Sequence, residues 1–140
     1  MNKILIDTNS YSYALRGDSR AVEVLRKAVH IGISVISIGE LLSGFKGGRK
    51  EKENRNELGI FLDSPRVSLY TVDEYTAEYY CSILNQLKSS GTPIPTNDIW
   101  IAAVAFQHGL QLYTLDKHFS NVEGLLVYYC TDEKNIPDSR

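Results

Sequence analysis

The chain alternates short apolar runs with longer segments of helical period, and this alternation restricts its fold more than any other feature. The helical segments carry apolar residues at i, i+3, i+4 and i+7, which is the spacing of one helix face. Strands that alternate with helices predict an α/β fold, with a mostly parallel sheet of four or five strands and helices on both faces. The predicted strands are 4–6, 33–36, 67–72, 111–113 and 125–129, and the predicted helices include 21–29, 38–45, 50–63, 80–87 and 97–108.

Length and charge exclude several classes of protein. With 140 residues, we expect a single domain over residues 1–130 and a polar C-terminal tail over 131–140. The net charge of −2 argues against a protein that coats nucleic acid through bulk positive charge. The longest apolar run, 99–106, is far shorter than the roughly 20 residues of a membrane-spanning helix. The apolar N-terminal run is also too short for a secretory signal, so we expect a cytoplasmic protein without a membrane segment.

The cysteines and histidines give no sign of a zinc site. Cys81 and Cys130 are not part of a C-x-x-C motif, and we expect two reduced thiols in the core. His30, His108 and His118 are scattered along the chain, and they are expected at the surface or at helix caps rather than as metal ligands.

The predicted helix 97–108 is apolar nearly all round, because Trp100 and Val104 cover the face opposite Phe106. A helix that is apolar on every side has to be buried on every side. In a small domain the outer face can require a second subunit, so we predict a homodimer. The interface could include Tyr75, Tyr79 and Tyr80, although half-buried tyrosines of the core would give the same pattern.

Four acidic residues stand where predicted elements begin or end. Asp7 follows the first strand, Glu40 comes one helical turn after the second, Asp98 lies at the start of the apolar helix, and Asp116 follows the fourth strand. Chemistry in open parallel sheets gathers at the carboxyl ends of the strands. We therefore expect all four carboxylates at the same edge of the sheet.

Each of these carboxylates, taken alone, also has a structural explanation. Asp7 and Asp116 could be N-caps, Ser37 and Glu40 match the S-x-x-E capping box, and Asp98 could complement a helix dipole. Together they are harder to explain, since two carboxylates 4 Å apart repel by about 4 kcal/mol at an effective dielectric constant near 20. A hard divalent cation such as Mg²⁺ prefers carboxylate, water and phosphate oxygens and would offset this repulsion.

The acidic residues and their neighbours resemble the PIN-domain ribonucleases, in particular the VapC-type toxins of toxin–antitoxin pairs. The matching motifs are Asp7-Thr8-Asn9, Glu40, Thr96-Asn97-Asp98-x-x-Ile101-Ala102 and Thr114-x-Asp116-x-x-Phe119. The resemblance covers nearly the whole chain. It implies a PIN-like three-layer α/β/α fold and an endoribonuclease that hydrolyses RNA with Mg²⁺, or with Mn²⁺. It also implies that a small antitoxin wraps the toxin with its C-terminal segment and places an arginine at the acidic site.

The resemblance further implies roles for individual residues. Asp7, Glu40 and Asp98 would carry the main metal ion, directly or through water, and Asp116 would complete a second position. Four polar neighbours are expected to orient the carboxylates or to hold the attacking water, namely Thr8, Asn9, Thr96 and Thr114. For Thr8 and Asn9, a simple helix cap remains an equal alternative.

A basic segment follows the helix that bears Glu40. Residues 46–55 contain five Lys and Arg and two Glu, so their local charge is 5 − 2 = +3. Lys46, Arg49 and Lys50 are predicted to bind RNA phosphates near the acidic site. The alternative is a solvated helix surface on which opposite charges alternate.

Two other functions remain open at this stage. An α/β phosphotransfer module would use Asp7 as phosphoryl acceptor, although Thr8 and Asn9 leave no D-x-D motif and Lys117 lies beside Asp116 rather than in its place. A non-catalytic PIN-like binding module would use the acidic edge only to bind a basic protein segment. Motifs of P-loop, dinucleotide-binding and serine-hydrolase proteins are absent from the sequence.

Overall fold

The computed structural model describes residues 3–129, in which strands alternate with helices along the chain. The predicted polar tail and Cys130 lie outside the described residues, and the single domain over residues 1–130 remains a prediction. The strands are β1 (Lys3–Ile6), β2 (His30–Ser34), β3 (Val67–Tyr70), β4 (Gln111–Thr114) and β5 (Val127–Tyr129). The helices are α1 (Thr8–Leu15), α2 (Ser19–Lys27), α3 (Val35–Lys46), α4 (Glu51–Leu62), α5 (Glu74–Ser90) and α6 (Thr96–His108), with a short 3-10 helix over Lys117–Asn121.

The five strands form one parallel sheet in the order β3-β2-β1-β4-β5. β1 is central, and its last residue, Ile6, lies opposite both Ile33 of β2 and Tyr113 of β4. The strand order reverses between β1 and β4, since β2 and β3 extend the sheet in one direction and β4 and β5 in the other. In open α/β sheets this switch point is where ligands bind.

Helices cover both faces of the sheet because strand residues alternate between two cores. Leu5 and Leu112 face the core that is built with α5 and α6. Ile6 and Tyr113 face the opposite core, which also contains Tyr11 of α1 and residues of α3 and α4. The predicted α/β class and the three-layer α/β/α arrangement are confirmed.

Helix α6 is buried within a single copy of the chain. Ile99 and all of residues 101–105 are buried, and Tyr80 of α5 stacks on Trp100 with ring centroids 4.1 Å apart. The apolar outer face of α6 therefore does not by itself require a second subunit, and the homodimer remains a prediction. Across residues 3–129, no helix is both long enough and apolar enough to span a membrane.

The boundary between β2 and α3 differs from the prediction. The strand runs from His30 to Ser34 rather than over 33–36, because Ser34 caps α3 by accepting a hydrogen bond from the backbone N–H of Ser37. The alternative explanation of Ser37 and Glu40 as a capping box is therefore wrong, since both residues lie inside the helix. A capping box does form at α5, where the Asp73 side chain accepts from the Thr76 backbone and Thr76 bonds back.

Cys81 is exposed on α5, so the expectation of a core thiol is wrong for this residue. Ile83 and Leu87 are buried apolar residues of that helix. Cys81 lies off the face that they define, since a helix turns about 100° per residue. Its Sγ lies 3.6 Å from Nδ2 of Asn85, one turn further along the helix.

Candidate active site

The four carboxylates predicted from the sequence line one cleft at the carboxyl edge of the sheet. Asp7 is the N-cap residue of α1, and Asp116 follows β4 and precedes the 3-10 helix. Glu40 lies in the second turn of α3, and Asp98 lies in the first turn of α6. The cleft has a volume of about 440 Å³, and its remaining lining residues are Thr8, Asn9, Pro95, Thr96 and Asn97. Residues more than 100 positions apart in the sequence thus share one pocket.

Asp7 is the most deeply buried of the four, with 3% of its surface exposed. Its Oδ1 accepts a hydrogen bond from the backbone N–H of Ser10 at 2.9 Å, which caps α1. Its Oδ2 accepts a hydrogen bond from the hydroxyl of Thr114, which is fully buried at the end of β4. The helix cap and the place in the cleft are therefore compatible, because each carboxylate oxygen can accept more than one bond.

Glu40 is held by residues from two other helices. Its Oε1 accepts a hydrogen bond from the hydroxyl of Thr8, and its Oε2 accepts one from Asn97 Nδ2 at 3.2 Å. The Thr8 hydroxyl also lies 3.1 Å from the Ser37 hydroxyl. Since Thr8 belongs to α1 and Asn97 to α6, these contacts fix the carboxylate between three helices.

Asp98 and Asp116 each use one oxygen in a side-chain contact. Asp98 Oδ2 lies 2.8 Å from Nε2 of His118, and Asp116 Oδ2 accepts a hydrogen bond from Asn9 Nδ2 at 3.3 Å. Their other oxygens, Asp98 Oδ1 and Asp116 Oδ1, accept no hydrogen bond from the part of the chain that the structure describes. These two oxygens can therefore bind a ligand in the cleft while the existing protein contacts stay in place.

Burial and mutual repulsion both act on the carboxylates of the cleft. Burial raises the pKa of Asp7 above its usual value of 3.8, hydrogen bonds from Thr114 and Ser10 oppose the shift, and the charge of Asp116 adds to it. Burial also raises the pKa of Asp98; the adjacent His118 opposes this shift, and the charges of Glu40 and Asp116 add to it. The carboxylates are thus close enough to disfavour one another's ionised forms, as expected of a site that gathers negative charge.

The chemistry of these groups fits a hydrated divalent ion better than an ion enclosed by protein ligands. Between residues 3 and 129, no group of three or more Asp, Glu, His or Cys side chains is arranged to hold a metal ion. Mg²⁺ does not require such a cage, because it usually keeps several waters and binds only one or two carboxylates. Asp98 Oδ1 and Asp116 Oδ1, which accept no hydrogen bond from residues 3–129, meet that requirement.

Three of the four polar neighbours predicted from the sequence donate a hydrogen bond to a carboxylate of the cleft, and the fourth lines the cleft. Thr8, Asn9 and Thr114 each donate a hydrogen bond to one of the four carboxylates. Thr96 is the first residue of α6 and lines the cleft.

Three further residues contact a carboxylate without having been predicted to do so, namely Ser10, Asn97 and His118. Asn97 is part of the motif Thr96-Asn97-Asp98, so its position could have suggested a role. Nothing in the local sequence singles out His118, because its contact with Asp98 depends on how the 3-10 helix packs against α6.

The predicted RNA-binding residues differ in whether they line a groove beside the cleft. Lys46 ends α3, Arg49 lies in the following turn, and Lys50 immediately precedes α4; all three are exposed. Lys50 lines a second groove of about 490 Å³, which shares Thr8 and Glu40 with the acidic cleft. Arg16 also lines this groove, as do Glu53 and Glu57, so its charge is mixed. Neither Lys46 nor Arg49 lines the cleft or this groove.

The raised pKa of Asp98 predicts how the stability of the metal-free protein depends on pH. Between pH 3.8 and the raised pKa, folded Asp98 binds more protons than unfolded Asp98, so the free energy of unfolding falls as pH rises through that interval. We expect Asp98→Asn to reduce this fall, as measured by urea unfolding in EDTA across a pH series.

Asp73 provides a control, because its pKa is shifted in the opposite direction from that of Asp98. The Thr76 backbone N–H lowers the pKa of Asp73, so its stabilising contribution is present above pH 3.8 and is lost as pH falls through the lowered pKa. Asp73→Asn should therefore destabilise the protein at neutral pH. If Asp98→Asn destabilised the metal-free protein in the same way, the repulsion described for the cleft would be contradicted.

Comparisons with known proteins agree with this fold. The PIN domain family model matches residues 4–125. Ribonuclease VapC1 of Rickettsia felis is 35% identical over 99 residues, covering 68% of this chain and 72% of that protein. Ribonuclease VapC2 of the same organism is 29% identical over 128 residues, covering 88% and 94%.

A solved structure extends the match to three dimensions. VapBC2 of Rickettsia felis, bound to a DNA fragment from its promoter, contains a chain that superimposes with a TM-score of 0.78 at 28% identity. The superposition covers 90% of this chain and 97% of that one. On the family model and these relatives, the chain belongs to the PIN-domain family, among the VapC proteins.

Proposed function

We propose that this protein is a PIN-domain endoribonuclease, the toxin of a toxin–antitoxin pair, that hydrolyses RNA phosphodiester bonds in the acidic cleft. The observation that carries the proposal is the meeting of Asp7, Glu40, Asp98 and Asp116 at the switch point of the parallel sheet. The relatives named above are ribonucleases, which supports the same activity here.

The activity depends on a divalent metal ion, which we propose is Mg²⁺, with Mn²⁺ as a substitute. Asp7, Glu40 and Asp98 would hold the main ion, directly or through water, and Asp116 would complete a second position. When bound, the ion would acidify a water nucleophile and offset negative charge on the phosphoryl oxygens. Thr8 and Asn97 hold the Glu40 carboxylate in place through hydrogen bonds. Thr114 holds the Asp7 carboxylate in place through a hydrogen bond of its own.

A phosphotransfer module is disfavoured by the surroundings of Asp7. A phosphoryl acceptor has to present a free oxygen to its donor. Asp7 is only 3% exposed, so a phosphoryl donor has little access to its carboxylate. A non-catalytic binding module would need only the negative charge of the cleft, so it is distinguished from a nuclease by the cleavage assay below.

Asp98→Asn tests the activity. The substitution removes the charge of the carboxylate but keeps its shape, so we expect the rate of metal-dependent RNA cleavage to fall by at least about 100-fold, which is the scale of removing one electrostatic interaction from an active site. The fold should persist, as measured by circular dichroism. Glu78→Gln, on the exposed surface of α5, is the matched control and should cleave at the wild-type rate. Cleavage retained in the Asp98 variant would rule out the proposed mechanism.

We propose that RNA reaches the cleft along the basic segment, with Lys46, Arg49 and Lys50 binding its phosphates. The position of Lys50 in a groove that shares Thr8 and Glu40 with the cleft supports this path. A negatively charged cleft needs neighbouring cations to receive a polyanion, because phosphate contacts supply much of the affinity for nucleic acid.

Replacing these three cations with Gln should weaken RNA binding and reduce its dependence on salt. For single-stranded RNA, the slope of log affinity against log salt concentration should become shallower by roughly 0.7 for each phosphate that is no longer neutralised. Replacing Arg26, Lys27 and Lys88, which are exposed on α2 and α5, changes the net charge equally and serves as the control. Equal effects of the two triple variants would exclude a specific role for the basic segment.

We propose that a small antitoxin inhibits this protein by binding at the cleft. The acidic cleft would attract a guanidinium group, and the second groove adds Leu15, Leu41 and Phe45 as apolar contacts for a peptide segment. We further propose a homodimer through the exposed tyrosines of α5, of which Tyr75 is 64% and Tyr79 is 39% exposed.

Expression in a bacterial host tests the antitoxin. The wild-type chain alone should arrest growth, because cellular RNA is cleaved, whereas Asp98→Asn should not. Co-expression of a small protein encoded directly upstream should restore growth, and the two proteins should purify together. Growth arrest that persisted despite co-purification would contradict inhibition at the cleft.

A further inference from the structure

His118 contacts the cleft but has no part in the mechanism described so far. Its Nε2 lies 2.8 Å from Asp98 Oδ2, and the side chains are 32% and 19% exposed, respectively. Because an ionised carboxylate has no proton to donate, the imidazole is the donor in this pair. A hydrogen bond to a charged acceptor is stronger than one between neutral groups.

The position of the imidazole is fixed by its neighbour in the sequence. Phe119 is fully buried and packs in the core that is built with α5 and α6. The ring of His118 rests against the ring of Phe119 with centroids 4.7 Å apart and planes inclined by 41°. The 3-10 helix that carries both residues begins directly after Asp116. One anchored segment thus places an imidazole against Asp98 and a carboxylate in the same cleft.

The two carboxylate oxygens of Asp98 differ in their hydrogen bonding because only one of them contacts His118. Oδ2 is bonded to the imidazole, whereas Oδ1 accepts no hydrogen bond from residues 3–129. The contacts of the other three carboxylates come from hydroxyl, amide or backbone groups, from Thr8, Asn97, Asn9, Ser10 and Thr114. Among the described residues, Asp98 is the carboxylate of the cleft that is held by a histidine.

We infer that His118 is a positioning residue that holds Asp98 Oδ2 and thereby presents Oδ1 to a divalent ion in the cleft. This inference rests on the proposed function. Metal-ligating carboxylates are commonly hydrogen-bonded in turn, and removal of such a partner costs about 10- to 100-fold in metal affinity or activity. A histidine that served only to tie the 3-10 helix to α6 would contribute to stability and would leave metal affinity unchanged.

Mn²⁺ binding followed by electron paramagnetic resonance distinguishes the positioning role from a purely structural one, because it measures metal affinity independently of RNA cleavage. We expect His118→Leu to weaken Mn²⁺ binding by about 10-fold or more. His118→Gln should bind Mn²⁺ nearly as the wild type does, since its amide can donate from a position close to that of Nε2. His118→Asn is polar but too short to reach Asp98, and it should resemble the Leu variant.

His108→Leu is the matched control. It removes an exposed imidazole at the opposite end of α6, about 15 Å from Asp98 at 1.5 Å of rise per residue. This variant should bind Mn²⁺ as the wild type does. Thermal unfolding of every variant checks the fold, and His118→Asn keeps the test available if His118→Leu does not fold.

The outcomes are distinct. Weak Mn²⁺ binding by the Leu and Asn variants together with recovery in the Gln variant supports the inference. Unchanged affinity in the Leu variant overturns it, and so does a Gln variant as weak as the Leu variant, since the donated hydrogen bond would then not be the cause. If the wild type and Asp98→Asn bound Mn²⁺ equally, the proposed metal site itself would be wrong, which is a different failure.

Discussion

The parallel pairing of β1 with both β2 and β4 is the constraint on which the rest of the molecule depends. Ile6 lies opposite both Ile33 and Tyr113, so the three strands end at nearly the same level. The chain leaves each strand at the same edge of the sheet. Asp7, after β1, and Asp116, after β4, therefore meet in the cleft at that edge. A shift of one residue in this register would also turn every strand side chain toward the other core. The two cores and the cleft are thus specified by the same pairing.

The cleft gathers negative charge that the fold has to tolerate, and polar contacts from several elements make this possible. Thr114 of β4 bonds to Asp7, Thr8 of α1 and Asn97 of α6 bond to Glu40, and His118 contacts Asp98. The contacts with Thr114 and His118 favour the ionised forms of Asp7 and Asp98, yet burial still raises the pKa of both carboxyl groups. The metal-free protein therefore carries an electrostatic cost in the cleft, which a divalent ion would relieve.

The same contacts join the helical layers to one another. Glu40 connects α1, α3 and α6, and the 3-10 helix reaches α6 through His118. Substitutions at the cleft are therefore expected to alter stability as well as activity, and the two effects can have opposite signs. A variant that removes a repelled carboxylate can be more stable and inactive, which is the usual relation between strained sites and function.

The sequence by itself determined the alternation of strands and helices, the parallel sheet and the four acidic residues at element ends, because these follow from local periodicity and from the order of elements. It placed the start of β2 three residues too late and left a capping box at Ser37 and Glu40 open as an alternative, since a short apolar run does not show where a strand ends and a helix begins. Only the tertiary structure decided which donors meet which carboxylates. His118 lies 20 residues after Asp98, and Asn97 lies 57 residues after Glu40. Contacts between residues so far apart depend on how helices pack across a sheet. That packing cannot be deduced from the hydrophobic periodicity of the sequence.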